Sequence, residues 1–199
     1  GLPRGSASRG DSWSATFTPG TVHQPKELEQ QQIGICFPGV DVTHLDSHMG
    51  TMQYSTDYMK AYLQLAVEFD LPVRMASQET LVRRGHPEIR AQVAAQGVVS
   101  PDYFVFDELK NEKNDVKSFW LGVVKNLKPG VTELYIHAGL PNDELKAITG
   151  SWSTRAQEFE VFTHSEEMKQ LIADQKIILI GYRPLRDLQH KERAQAKRR

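Results

Sequence analysis

The sequence predicts an α/β protein with a parallel sheet, in which strands and helices alternate. Five short β-prone segments occur at residues 42–46, 71–74, 103–106, 132–136 and 177–182. The stretches between them carry apolar residues at helical spacing, and this alternation is typical of parallel strands joined by crossover helices. Polar side chains that can do chemistry follow three of the strand candidates. We expect them to gather at the carboxyl ends of the strands, where the loops of such folds converge.

The first half of the chain opens with a segment that has little periodicity. Residues 1–24 are rich in Gly, Ser, Thr and Pro and predict a flexible leader or loop. From Pro25, the stretch KELEQQQIGICF predicts a short helix that Pro38 and Gly39 end. After strand 42–46, an amphipathic helix is indicated by residues at helical spacing, namely Tyr54, Tyr58, Tyr62, Leu65 and Phe69.

The second half repeats the alternation. A helix is predicted at 86–96, then the strand 103–106, and then a helix over 116–127 that the sequence KPG ends. The remaining expected elements are the strand 132–136, helices at about 142–149, 152–161 and 165–173, and the strand 177–182. We divide the chain into the leader 1–24, a body over 25–188 and a basic polar tail over 189–199.

The composition is that of a globular domain with a sizeable core. The 199 residues are 39% hydrophobic and 25% charged. A formal net charge of −1 predicts neither a nucleic-acid binder nor a membrane-surface protein. The chain has no run of 18 apolar residues and no apolar signal core, so we expect a cytoplasmic protein. Because Cys36 is the sole cysteine, a metal would have to be held by histidine and carboxylate.

Two histidines and an aspartate stand at every second position in 42-VTHLDSHMGT-51. Alternate side chains of a strand share a face, so His44, Asp46 and His48 would project together. Neutral imidazole is a common metal ligand, and a carboxylate often fixes its tautomer, so the run indicates one wall of a metal site. The alternative is a polar strand end whose histidines cap a loop, since the run alone lacks a third protein ligand.

His137 and Arg74 follow other strand candidates. His137, in 134-LYIHAG-139, is a candidate general acid or base; its other interpretation is a histidine that hydrogen-bonds across a sheet edge. Arg74 is a candidate to steer an anion or polarise a carboxylate, although arginines at strand ends are mostly solvated. The signature motifs of serine hydrolases, P-loop enzymes, zincins and Rossmann dehydrogenases are absent from the sequence.

Three stretches resemble one protein family. The run 40-VDVTHLDSHMGT-51 resembles the T-H-[LI]-D-S-H-x-[GH] motif of the YdjC-like (ChbG-type) carbohydrate deacetylases. The run 133-ELYIHAGLPNDELKAITGSWSTRAQEFEVFT-163 is similar to a second hallmark of that family, a strand that ends in histidine and precedes an acidic loop and a W-x-x-R-x-x-E helix. The stretch 179-LIGYRPLRDL-188 is similar to the family's C-terminal strand, so the resemblance extends over residues 27–188.

The resemblance implies an incomplete (β/α) barrel of the polysaccharide-deacetylase-like type over 25–188. The implied enzyme is a hydrolase that removes N-acetyl groups from amino sugars or their oligomers, with a divalent metal, Mg²⁺ or Zn²⁺, that polarises the amide carbonyl and activates water. Carried onto matching positions, the resemblance makes His48 a metal ligand and places His44 next to it in the metal site. It assigns His137 and Asp46 to catalysis and, more loosely, Arg74 to substrate binding.

Two motifs of that family lack a counterpart here. One is the N-A-D-D-F-G type strand end, which supplies a metal-ligating aspartate and the catalytic base, and the other is the G-x-H-x-x-L-T motif with a further metal histidine. A full barrel of this type has about 250 residues, so we expect a C-terminal portion of a deacetylase. The hypotheses are an N-deacetylase whose turnover depends on the missing motifs, another metal-assisted hydrolase on the same barrel, or a non-catalytic carbohydrate-binding or interaction remnant. In the last case a homodimer would cover the exposed sheet edges.

Overall fold

The computed structural model describes residues 41–53, 55–106 and 115–198, together with the backbone of residues 15–16. The side chains of His48 and Met49 lie outside this description, as does the helix predicted between Pro25 and Phe37. The described residues form two compact units. The first contains the described parts of 1–75, 79–100 and 180–199, and the second contains 76–78 and the described parts of 101–179.

Within the described residues, strands and helices alternate as the sequence predicts. The strands are β1 (Ala15–Thr16), β2 (Leu45–Asp46), β3 (Tyr103–Phe106) and β4 (Thr132–Tyr135). The helices are α1 (Thr56–Glu68), α2 (Gln78–Arg83), α3 (Ile89–Ala95), α4 (Val116–Lys125), α5 (Asp143–Ile148), α6 (Trp152–Thr163), α7 (Glu166–Asp174) and α8 (Arg183–Ala196). A 3₁₀ helix (His48–Gln53) follows β2.

The strands of the first unit run parallel but are shorter than expected. β1 pairs in parallel with β2, and Leu45 also forms a parallel bridge with Val73. The Leu45 N–H donates to the carbonyl oxygen of Pro72 at 2.9 Å, and the Arg74 N–H donates back to Leu45 at 3.0 Å. The strand candidate at 71–74 is therefore reduced to a single bridge, and the one at 42–46 to two residues.

Helix α1 confirms the amphipathic pattern read from the sequence. Ser55 caps its first turn, because the hydroxyl oxygen accepts a hydrogen bond from the Tyr58 N–H at 3.2 Å. The face that packs inward is continuous and buried, and it consists of Tyr62, Leu63, Leu65 and Ala66. The chain leaves the helix through Asp70, whose φ of 52° turns it towards Leu71.

The segment interpreted as a polar tail continues a helix. Helix α8 extends to Ala196, and its Gln189 side chain is fully buried. The Gln189 amide oxygen accepts the Val99 N–H at 2.8 Å, and its nitrogen donates to Asp70 at 2.9 Å. Arg193 adds a 2.7 Å ion pair with the same Asp70. These polar contacts hold the charged helix against the first unit although its sequence is strongly hydrophilic.

The second unit is a parallel strand pair packed against helices. β3 and β4 pair over their whole length, from Tyr103 opposite Thr132 to Phe106 opposite Tyr135. Helix α4 begins at Asp115, whose carboxylate accepts the Ser118 N–H at 3.0 Å. Its apolar face packs into a buried cluster with α6 and α7, formed by Val116, Trp120, Val124, Val161 and Met168.

The strand predicted at 177–182 does not form, so that prediction is wrong. The segment IILIGY has no regular structure, and Ile178 and Leu179 are 83% and 75% exposed. A β-prone sequence becomes a strand only where a neighbouring strand pairs with its backbone, and within the described residues none does so.

Mixed α/β architecture with parallel strands is confirmed, but it is mostly helical. The described strands form two sheets of two strands each, which do not trace a closed barrel. Among the helices of the described residues, none combines the length and the apolar character that crossing a membrane requires.

Candidate functional site

Asp46 and Arg74 form a shielded ion pair at the carboxyl end of β2. The bridge between Leu45 and Val73 aligns the two segments, so the residues that follow in each, Asp46 and Arg74, come side by side. The Arg74 Nη1 donates to Asp46 Oδ2 at 2.7 Å, and the two side chains are 18% and 8% exposed. Arg74 is therefore bound to a carboxylate of the protein itself.

The Tyr62 hydroxyl lies within hydrogen-bonding distance of both strand ends. Its oxygen lies 2.7 Å from the carbonyl oxygen of Leu45 and 3.2 Å from that of Arg74. Tyr62 is 2% exposed, so its phenol reaches these carbonyls from the buried face of α1. In the sequence Tyr62 is recognisable only as part of an apolar helical stripe, and its hydrogen-bonding role was missed.

His44 is buried and held in its neutral form. Its ring stacks on Tyr182 with centroids 3.8 Å apart and planes inclined by 8°. Burial in the first place, and the positive charge of Arg74 in the second, lower the pKa of His44 to about 4. The Nδ1 atom lies 3.0 Å from the Thr43 hydroxyl oxygen. If Nδ1 carries the proton, the lone pair of Nε2 is the one available to a metal.

Asp46 keeps one oxygen without a hydrogen-bond partner among the described residues. Oδ2 receives the Arg74 guanidinium, whereas Oδ1 is buried and no described group donates to it. Buried carboxylate oxygens normally have a partner, because an unpaired one loses its hydration without compensation. Oδ1 is therefore a position at which a metal ion, a water molecule or a substrate proton would be stabilised.

The donor atoms suit a divalent metal in kind. A carboxylate oxygen and a neutral imidazole nitrogen are ligands for Zn²⁺, and the carboxylate also suits Mg²⁺. Among the residues whose side chains are described, no three His, Cys, Asp or Glu groups lie close enough to hold an ion. The third predicted member, His48, has its side chain outside the described part.

The expectation that one strand carries His44, Asp46 and His48 is wrong in its geometry. β2 ends at Asp46, and the backbone at His48 already belongs to the 3₁₀ helix. The turn forms because the Ser47 hydroxyl oxygen accepts the Met52 N–H at 2.8 Å and Gly50 adopts a φ of 70°. Alternation of side chains along a strand therefore does not extend to His48.

In the second unit, His137 stands just beyond the end of β4. Its side chain is exposed, and its ring contacts the edge of Tyr135 with centroids 4.6 Å apart. The His137 backbone N–H donates to Glu158 Oε2 at 2.7 Å. The sequence motif W-x-x-R-x-x-E ends at this glutamate, but its partner in the fold was not anticipated.

The structure thus brings together part of the predicted set. His44, Asp46 and Arg74 lie in the first unit at the end of β2, and His137 lies in the second unit at the end of β4. The predicted roles of these residues and of His48 remain predictions.

Comparison with known proteins identifies the family. The model of the YdjC-like protein family matches residues 24–174. A carbohydrate deacetylase of Thermoanaerobacter pseudethanolicus is 27% identical over 160 residues, which are 78% of this chain and 57% of that protein. The crystal structure of a protein from Enterococcus faecalis V583, proposed to act in cellobiose-phosphate cleavage, matches with a TM-score of 0.56 and 24% identity, over 74% of this chain and 54% of that one. This chain spans little more than half the length of these relatives, and by the family match it belongs to the YdjC-like proteins.

Proposed function

We propose that this chain carries part of the active site of a metal-dependent N-deacetylase for N-acetylated amino sugars or their oligomers. The observation that carries the proposal is the cluster at the end of β2. There Arg74 donates a hydrogen bond to Asp46 Oδ2, and the buried Oδ1 of Asp46 has no partner among the described residues. The similarity to a carbohydrate deacetylase supports the substrate class.

The residues named so far have distinct parts in this proposal. His48 and His44 would hold Mg²⁺ or Zn²⁺, and such an ion when bound polarises the amide carbonyl and lowers the pKa of water. Arg74 orients Asp46 through their hydrogen bond at Oδ2, so that Oδ1 can accept a proton or a hydrogen bond from the reacting group. The exposed imidazole of His137 would act as the acid that protonates the leaving amine, and Arg74 would add positive charge towards the acyl oxygen.

We further propose that the two parallel strand pairs belong to an incomplete (β/α) barrel. Support comes from their parallel direction, from the chemistry at their carboxyl ends and from the fold similarity to the Enterococcus faecalis protein.

Acetate release from N-acetylglucosamine oligomers, measured on the chain extended upstream by a segment that carries the N-A-D-D-F-G type motif, tests the proposal. After chelation and re-addition of Mg²⁺ or Zn²⁺, we expect metal-dependent release that His48→Ala and Asp46→Asn each reduce by about two orders of magnitude or more. Lys60→Ala, at a position that is 73% exposed, is the matched control and should retain full activity. Release that persists in chelator and in His48→Ala would refute the proposal.

A second candidate is a non-catalytic carbohydrate-binding or interaction protein, in which a homodimer covers exposed edges. It is favoured by the absence of three convergent metal-binding groups among the described side chains. It predicts that titration calorimetry detects sugar binding, and that metal-supplemented protein releases no acetate. Turnover by the chain would exclude this candidate.

A further inference from the structure

Glu158 is a charged residue in the buried interior of the second unit. It is 1% exposed and lies on helix α6, on which Val161 is also buried. Its two carboxylate oxygens serve different donors: Oε1 accepts the Trp120 indole N–H at 3.1 Å, and Oε2 accepts the His137 backbone N–H at 2.7 Å. One side chain therefore connects the centre of the apolar core with the first turn after β4.

A second hydrogen bond attaches the same turn to the same helix. The Gly139 N–H donates to the carbonyl oxygen of Arg155 at 3.0 Å. A side chain at Gly139 would begin only 3.1 Å from the Leu145 methyl groups, so any other residue there would require the Leu145 side chain to shift. Residues 137–139 are thus attached to α6 at two points, with His137 at the first of them.

The energetic balance argues for a function beyond packing. Burying a carboxylate is costly even when its hydrogen bonds are made, and an apolar residue of similar volume often stabilises a core better. Trp120 alone does not require a charge, because a neutral oxygen suffices for an indole N–H. The 2.7 Å contact to the peptide N–H of His137 lies in the distance range of charge-assisted hydrogen bonds, which are about twice as strong as neutral ones.

We propose that Glu158 is a positioning residue for His137. By accepting the backbone N–H, its carboxylate fixes the backbone from which the imidazole projects, and so keeps that ring against the edge of Tyr135 and directed to solvent. The catalytic consequence rests on the proposed function, because His137 would act on the substrate. The positional effect itself does not depend on activity.

Nuclear magnetic resonance of the full chain tests the positional effect directly. Glu158→Met retains much of the side-chain volume but removes both acceptor oxygens, so the His137 N–H loses its partner. We expect amide hydrogen exchange at His137 to become about tenfold faster or more, and the cross-relaxation between the His137 and Tyr135 rings to disappear. Trp120→Phe is the matched control, because it removes the other donor and should leave both His137 signals unchanged.

The wild-type chain provides a test that no folding defect can obscure. A scalar coupling across the hydrogen bond, between the His137 amide nitrogen and the Glu158 carboxyl carbon, is expected, and its absence would overturn the proposal. Unchanged His137 exchange and ring contacts in a folded Glu158→Met variant would overturn it as well.

The kinetic arm separates this inference from the proposed function. In the extended chain, Glu158→Met should lower kcat for acetate release about tenfold or more with KM unchanged, whereas Trp120→Phe should lower thermal stability with kcat retained. If the extended chain releases no acetate, the proposed function fails, and the resonance measurements still decide the role of Glu158.

Discussion

Replacing Arg74 by methionine should destabilise the first unit by about 3 kcal/mol. The substitution keeps much of the side-chain volume but removes the guanidinium 2.7 Å from Asp46, whose side chain is only 8% exposed. At an effective dielectric constant of about 20, two unit charges about 4 Å apart attract by about 4 kcal/mol. Removing one partner of a buried ion pair leaves the other charge unpaired and lowers the free energy of unfolding by about 3–5 kcal/mol. We expect the lower end, because Arg74 is 18% exposed and water can reach part of the vacated space.

Urea unfolding followed by circular dichroism measures this cost for Arg74→Met, Asp46→Asn and the double variant. Since the double variant leaves no unpaired charge, it should lose about 2 kcal/mol less than the sum of the single losses. Lys60→Met, which breaks an exposed pair with Asp57, is the control and should have no measurable effect. Additive losses, or a loss below about 0.5 kcal/mol for Arg74→Met, would refute the view that the charges are coupled and shielded.

Three further outcomes follow from single contacts. Ser55→Ala should lower the free energy of unfolding by about 1 kcal/mol, because it removes the acceptor of the Tyr58 N–H at the start of α1. Ser55→Asp is the control and should keep nearly wild-type stability in urea. Equal losses in both variants would contradict the capping role. Gln189→Leu should lower the free energy of unfolding by about 1–3 kcal/mol, because it leaves the partly buried Val99 N–H without its acceptor, and an unchanged thermal midpoint would contradict this. Ile178→Lys, at a position 83% exposed, should change stability by less than about 0.5 kcal/mol, so a large loss by calorimetry would show that the side chain is covered in solution.

Most of the helices were predictable from the sequence because their signals are local, but α2 and α8 were not among the predicted elements. The apolar stripe of α1 and the capping residues Asp115 and Ser165, before α4 and α7, lie within a few residues of the elements they define. The direction of the strands was also predictable, since strands separated by helices pair in parallel. The strand pair Tyr103–Phe106 and Thr132–Tyr135 forms at the expected positions.

Strand length and the polar contacts of the site depend on residues far apart in the sequence. The run at 177–182 has a strand-like composition, but a strand also needs a neighbouring backbone, which no local pattern reveals. The stacking of Tyr182 on His44 could not be predicted either, because the two residues lie 138 positions apart in the chain. Glu158 stands out in the sequence through the W-x-x-R-x-x-E pattern, but the sequence does not reveal the two N–H groups that donate to it.

The division of the chain into units also determines an order of events during synthesis. Apart from 76–78, the second unit occupies a single stretch up to residue 179 and can assemble once that stretch has left the ribosome. The first unit needs α8, which follows it, because Leu185 and Gln189 complete its interior. Until those residues emerge, the Asp70 carboxylate and the Val99 N–H lack the partners that α8 supplies. The earlier-made half of the protein is therefore the last to become stable, and a nascent chain that stops near residue 180 would expose an unfinished first unit to chaperones and proteases.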